Sequence, residues 1–170
     1  TAILDGGKET GVTLMLLDAE LDHGPILQAT SYKLQATKNF IEVRNDLARL
    51  GAKLFFEVAP MWVAGEVKAA PQDHTQATFT KKISKEDGKI KLSQGDTLGD
   101  KSVALLNYRK LLAYREWPGI YFFTERNGKK TRVIVTAAHI VDGRFAIERV
   151  KPEGKKEMSY ADFQRGFKFN

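Results

Sequence analysis

Apolar positions recur along this chain with two different periods. Val12–Leu17 and Ile26–Leu34 are rich in apolar and β-branched residues and read as strands. Asn39 then reads as a helix N-cap, with Glu42 three residues on in capping-box register. From there Phe40, Val43, Leu47, Leu50, Leu54, Val58 and Met61 or Trp62 return at helical spacing and form one apolar stripe. Pro60 falls in the last turn and predicts a kink or break, because it lacks a backbone donor and its ring crowds the preceding turn. Two strands and one amphipathic helix bury too little apolar surface to offset their ordering entropy. Residues 1–67 are therefore expected to pack on the second half, or on a sheet that this sequence does not contain.

Polar residues dominate the next stretch, "KAAPQDHTQATFTKKISKEDGKI" (68–90), with Pro71 and Gly88 as breakers. Residues 68–84 read as a linker and 85–170 as a second domain. In that domain Asp100 is placed to cap a helix whose apolar side is Val103, Leu106 and Leu111, with Leu105, Tyr108 and Leu112 alongside. "EWPGI" (116–120) ends it. Short strands follow around Ile120–Thr124, Thr131–Thr136 and Phe145–Val150, separated by the tight-turn dipeptides Asn127-Gly128 and Asp142-Gly143. Ser159 with Asp162 predicts a last short helix. Strands at this spacing, with helices, suggest a small barrel of the kind that includes OB-folds.

Composition separates the halves further. A chain 42% hydrophobic and 28% charged reads as soluble and globular. No run is apolar enough to span a bilayer, no secretory leader is visible, and no cysteine is present. The last point is compatible with a reducing, cytoplasmic setting. The sequence opens on Thr1 and enters a hydrophobic pattern almost at once, which reads as part of something longer. Residues 1–80 hold 7 basic and 10 acidic side chains, and residues 81–170 hold 20 and 11, so a half of net −3 precedes one of net +9. That asymmetry suggests two modules, one of which meets a polyanion; a basic surface kept for solubility accounts for the same composition.

Candidate chemistry is sparse. His23, His74 and His139 are far apart in sequence and fit no metal-binding spacing, so each reads as a surface or packing histidine and no metal is expected. Gly6-Gly7 lacks the spacing of a phosphate-binding loop, and no Gly-x-Ser-x-Gly is present. The basic residues say more: Lys81, Lys82 and Lys85 enter the second half, Lys129, Lys130 and Arg132 flank a hairpin turn, and Lys151, Lys155, Lys156, Arg165 and Lys168 crowd the end. Taken singly each reads as a solvated rim; as a cluster they suit phosphate neutralisation without base reading. Asp22, followed by His23-Gly24-Pro25, reads on spacing alone as a turn former.

Five segments in order carry a family resemblance. "ETGVTLMLLDAELDHGPIL" (9–27) resembles the signature of the formyltransferases that use 10-formyltetrahydrofolate, and "LGAKLFFEVAPMWVAGEV" (50–67) fits the same family. "PQDHTQATFTKKISKEDGKI" (71–90) looks like the methionyl-tRNA formyltransferases specifically, as do "NYRKLLAYREWPGIYFF" (107–123) and "KPEGKKEMSYADFQRGF" (151–167). The resemblance implies an α/β plus β fold: the C-terminal remnant of a Rossmann-like formyltransferase domain, then a small OB-like β-barrel domain with helices that helps hold tRNA. It implies formyl transfer from 10-formyltetrahydrofolate, as co-substrate, to the amino group of methionyl-initiator tRNA in translation initiation. It also implies a cytoplasmic monomer without a membrane partner, or a chain associating with a separate N-terminal half.

By the same resemblance Asp22 falls on the family's aspartate, which orients a histidine and helps manage the proton released as the amine attacks. The residue after it, more usually Thr or Ser, is His23 here. The family's catalytic asparagine and histidine and its Ser-Leu-Leu-Pro loop have no counterpart in these 170 residues, and are expected to lie before Thr1. His23 is not expected to replace the histidine, since neighbouring strand residues point apart. The chain alone is therefore expected to be catalytically incomplete and to bind no folate tightly. Two other readings stay open: a stand-alone, non-catalytic RNA-binding module from a split or shortened gene, and a fragment of a sugar-amine formyltransferase.

Overall fold

The computed structural model describes residues 1–92, 101–126 and 128–166, apart from the side chains of Arg126 and Lys129. The expected cap Asp100, the turn residue Asn127 and Lys168 lie outside the described residues. The chain divides into two compact units: Ala2 with Gly7–Lys81, and Thr1 and Ile3–Gly6 with Lys82–Asn170.

The first unit is a hairpin under one long helix. β1 (Glu9–Met15) pairs antiparallel with β2 (Ile26–Lys33), and α2 (Phe40–Val63) lies against both strands. β1 stops before the expected Leu17, because Leu16 donates instead to the Pro25 carbonyl at 2.9 Å and starts the loop to β2. The Asn39 cap forms as expected: its side chain accepts from Ile41 N and Glu42 N, while Glu42 accepts from Asn39 N. Pro60 does not end α2, which runs on to Val63. The proline forfeits one donor, toward the Phe56 carbonyl, but the last turn still closes, with Ala64, Gly65 and Glu66 N–H donating to the carbonyls of Pro60, Trp62 and Met61. Of the predicted stripe, Val43, Leu54 and Val58 are buried, whereas Phe40, Met61 and Trp62 are exposed. A polar tie joins helix to hairpin: Tyr32 donates to Asp46 at 2.6 Å, and Lys38 donates to Tyr32 and pairs with Asp46. The Lys38 ammonium holds the Asp46 carboxyl below its ordinary range, and the carboxylate in turn raises Lys38.

The second unit closes a core. β3 (Ile120–Arg126), β4 (Lys129–Val141), β5 (Arg144–Pro152) and β6 (Met158–Ser159) form an antiparallel meander in that order. Ile120 faces Val135, Phe122 faces Val133 and Val135 faces Val150, so the period-2 alternation stacks large apolar side chains on one face. Phe163 of α4 (Tyr160–Gly166) and Leu111 of α3 (Lys101–Ala113) cover that face. α3 turns a different side inward than its sequence suggests: Ala104, Asn107 and Leu111 are buried, and Val103 and Leu106 are exposed. Leu111 alone belongs to both the expected apolar side and the buried one. Leu4 of α1 (Ala2–Asp5) packs against this same core. At the outer edge of β3 a single parallel bridge joins Lys89 to Tyr121, with Ile90 N donating to the Tyr121 carbonyl at 2.8 Å. Gly88 makes that approach possible, since a Cβ there would sit 2.1 Å from the Gly119 carbonyl oxygen.

Candidate functional site

Asp22 sits in the loop between β1 and β2, exposed, with φ +55°, a left-handed conformation that aspartate tolerates better than most side chains. The next residue but one has no choice of side chain: a Cβ on Gly24 would meet the Leu16 carbonyl oxygen at 1.9 Å. Residues 21 and 22 form a turn, and His23 follows it outside any strand. His23 Nδ1 lies 2.6 Å from Asp18 Oδ2, and the His23 ring stacks on that of His74, centroids 3.6 Å apart and planes within 7°. Hydrogen bonding to Asp18 raises His23 above its ordinary value, and the same bond lowers Asp18. The histidines read from sequence as separate thus include a stacked pair. Fifty-one positions separate them in the chain, and no local periodicity connects them. Gln72, also unsignalled, donates from its side-chain amide to the carbonyls of Asp22 at 2.9 Å and Gly24 at 2.7 Å. Among the described residues no three His, Asp or Glu side chains gather as a metal cluster.

The second unit carries a cationic and aromatic sheet face opposite its core. Tyr121 and Phe123 alternate outward on β3 and meet edge to face, centroids 5.6 Å apart. The Arg132 guanidinium lies 3.9 Å over the Tyr121 ring, and Lys130 Nζ lies 4.6 Å over Phe123, with Lys89 Nζ at 5.7 Å. Arg132 Nε is buried without a hydrogen-bond partner, so the ring face is its main compensation. Tyr121 is 2% exposed and Phe123 41%, which leaves one aromatic ring of the pair open to solvent. Burial pushes the Tyr121 phenol up, with the nearby Glu86 carboxylate adding to the rise. Lys151 of β5 faces Ile134 in register and so shares this face.

The other predicted basic residues are spread out. Lys81 and Lys82 are exposed before a 3-10 turn that contains Lys85 (Lys85–Gly88). Lys155 and Lys156 are exposed in the turn before β6, and the Lys129 side chain lies outside the described residues. Arg165 is committed to an ion pair with Asp162 on the same helix. Lys89 and the two rings were missed in sequence, although "YFF" at 121–123 puts two aromatics on one strand face. No helix among the described residues is long and apolar enough to cross a membrane.

No family model matches the chain. Curated relatives do. The methionyl-tRNA formyltransferase of Chloroflexus aurantiacus is 40% identical over 142 residues, which cover 84% of this chain and 43% of that protein. The methionyl-tRNA formyltransferase of Roseiflexus castenholzii is 33% identical over 97% of this chain and 56% of its own length. Among solved structures, HypX from Aquifex aeolicus in complex with tetrahydrofolic acid matches with a TM-score of 0.65 at 18% identity, over 96% of this chain and 31% of that one. Methionyl-tRNA formyltransferase from Clostridium thermocellum matches with a TM-score of 0.56 at 17% identity, over 89% and 59%. At such identities the structures speak for a formyltransferase fold alone. The sequence matches go further: over most of its residues this chain is homologous to curated methionyl-tRNA formyltransferases, and it spans about half the length of the relatives it matches.

Proposed function

We propose that the chain is the C-terminal portion of a methionyl-tRNA formyltransferase, holding one corner of the formyl-transfer site and a tRNA-docking surface. In this reading the first unit, with the linker expected at 68–84, is the end of a Rossmann-like catalytic domain, and the second unit is the OB-like barrel. Asp22 is the aspartate that helps manage the proton of the attacking amine. The chain's own residues supply no asparagine and histidine in the family's pattern, so chemistry needs groups beyond these 170. For the co-substrate, 10-formyltetrahydrofolate, no residue here is assigned; the Asp22 loop is exposed and offers no buried polar side chain aimed at a ligand, and tight folate binding by the chain alone is not expected.

The observation that supports docking is the face made by Phe123, Tyr121, Arg132, Lys130 and Lys151. It sets cations beside an open aromatic ring, which suits a nucleic-acid backbone with unpaired bases near it. Lys81, Lys82, Lys85, Lys155 and Lys156 add exposed charge, and so does Arg165 from its pair with Asp162. The setting is cytoplasmic, and the chain is a monomer in this reading.

The test is binding of initiator tRNA to the chain at several salt concentrations. Weak binding that falls steeply as salt rises, with little preference for the initiator, supports the reading. No binding at low salt overturns the docking surface. Formyl transfer by the purified chain alone would overturn its incompleteness, and tRNA-independent transfer to a sugar amine would favour the sugar-nucleotide formyltransferases.

A further inference from the structure

Antiparallel register explains how Gln72 reaches the Asp22 loop. Ile26 and Ala70 exchange both backbone hydrogen bonds, each at 2.8 Å. The next pair in that register is Pro25 with Pro71, at a position whose backbone donors an antiparallel ladder does not use. Two prolines therefore face each other at no cost in hydrogen bonds. Beyond them Gln72 stands opposite Gly24, where a backbone exchange would come next. Instead the Gln72 side-chain amide takes over, donating to the Gly24 carbonyl at 2.7 Å and across to the Asp22 carbonyl at 2.9 Å. Two residues on, His74 opens the 3-10 turn His74–Gln76, and its ring stacks on His23.

We propose that Gln72 is a positioning residue for Asp22: its amide, extending the Ile26–Ala70 bridge, fixes the two carbonyls on either side of His23 and so holds Asp22 in its left-handed conformation. The inference rests on Asp22 being the acid–base residue of the proposed function. A positive φ on a non-glycine residue is uncommon and persists where surroundings over-determine it. Here the surroundings are countable. Gly24 is wedged on the Leu16 carbonyl, Leu16 N is tied to the Pro25 carbonyl, and Gln72 closes the remaining side. The His23–His74 stack, with Asp18 on His23 Nδ1, adds a second hold from the same segment.

Solution NMR on the intact 170-residue chain tests this. In the wild type, through-hydrogen-bond couplings should connect Gln72 Nε2 to the carbonyl carbons of Asp22 and Gly24; their absence overturns the clamp without any substitution. Gln72→Glu keeps the shape and removes the donors at neutral pH. It should move the Asp22 Cα and Cβ shifts toward random-coil values, with Thr13 and Thr30 of the hairpin unmoved. A residue that only fills space would tolerate the change, so an unmoved Asp22 overturns the proposal. Asp22→Asn separates the two readings. It should leave both couplings in place, since the carbonyl and not the carboxylate is held; their loss overturns the clamp, whereas a failure of Asp22 as the acid–base residue leaves them unchanged and overturns only the proposed function.

Discussion

In the basic unit Val133 and Val150 are fully screened and Phe163 is 1% exposed, whereas neither strand of the other unit buries a single side chain. The contrast runs against helix quality. α2 has 24 residues and a complete capping box, while the described part of α3 has 13 residues and a mixed apolar pattern. Yet α2 buries three residues, and Phe56 on its outer side is 77% exposed and Leu21 in the adjoining loop 97%. What differs is the sheet. Four strands under two helices give each inward side chain neighbours on all sides; two strands under one helix leave rows of apolar groups without a facing layer. A well-formed element is thus no guarantee of a core, because most helical stability comes from what its apolar face meets.

The largest effects should fall in the closed unit. Phe163 stacks on Tyr160 and meets Phe122 edge to face. Phe163→Ala should cost about 3–5 kcal/mol in denaturant unfolding, the usual range for an aromatic truncated in a packed core. Phe56→Ala should change stability by less than about 0.5 kcal/mol, as for other surface positions. A cost for Phe56→Ala near that of Phe163→Ala would mean that the outer side of α2 is covered in solution. Next in size is Asn39→Ala, which removes the capping side chain and leaves only the backbone half of the box, and should cost about 1 kcal/mol, read as lost helicity or a lower midpoint for the first unit. Should that substitution be silent, α2 is held by the Tyr32–Asp46–Lys38 tie and its strand contacts instead of by its own terminus.

Much of this architecture was readable from residue order. Asn39 and Glu42 announced α2, the alternation from Ile120 onward announced the sheet, and Ser159 with Asp162 announced α4. Local rules failed where a distant partner decided. The inward side of α3 depended on contacts with the sheet, and it carries Ala104 and Asn107 in place of the more apolar Val103 and Leu106. Pro60 did not break α2, which runs on to Val63. At the candidate site the proposed role of Asp22 rests on resemblance, since its spacing reads only as a turn. Its supports, Gln72 and His74, arrive through a bridge between Ile26 and Ala70, forty-four positions apart, which no periodicity encodes. The cationic face was half legible: the lysines were counted, but their placement over Phe123 follows from strand register.

Charge provides a third contrast between the units. Lys130→Ala should lower the salt slope of tRNA binding by about one and weaken different tRNAs alike, as expected for a phosphate contact. Lys38→Ala, which removes a cation already paired with Asp46 in the first unit, should leave that slope unchanged. Equal losses from both substitutions would place the polyanion surface on the whole chain instead of on the β3–β4 face.

The smallest effect concerns pH at the Asp22 loop. His23 is faced by Asp18 and Glu20 from its own loop and by the His74 ring, with Asp73 beside it, from the segment that carries Gln72. Its hydrogen bond to Asp18 raises it above the ordinary 6.5, so its contribution to stability is fully present below 6.5 and is lost as pH rises through the raised value. Asp18, lowered from 3.8, contributes above 3.8 and loses that contribution as pH falls through its depressed value. The pair therefore holds the loop most firmly between about pH 4 and 6.5. Asp18→Asn should bring the His23 midpoint, followed by its ring proton shifts, back toward 6.5 and flatten the loop's pH response inside that window. An unchanged midpoint would mean that the 2.6 Å contact is not made in solution, and that the loop owes its shape to Gln72 and Gly24 alone.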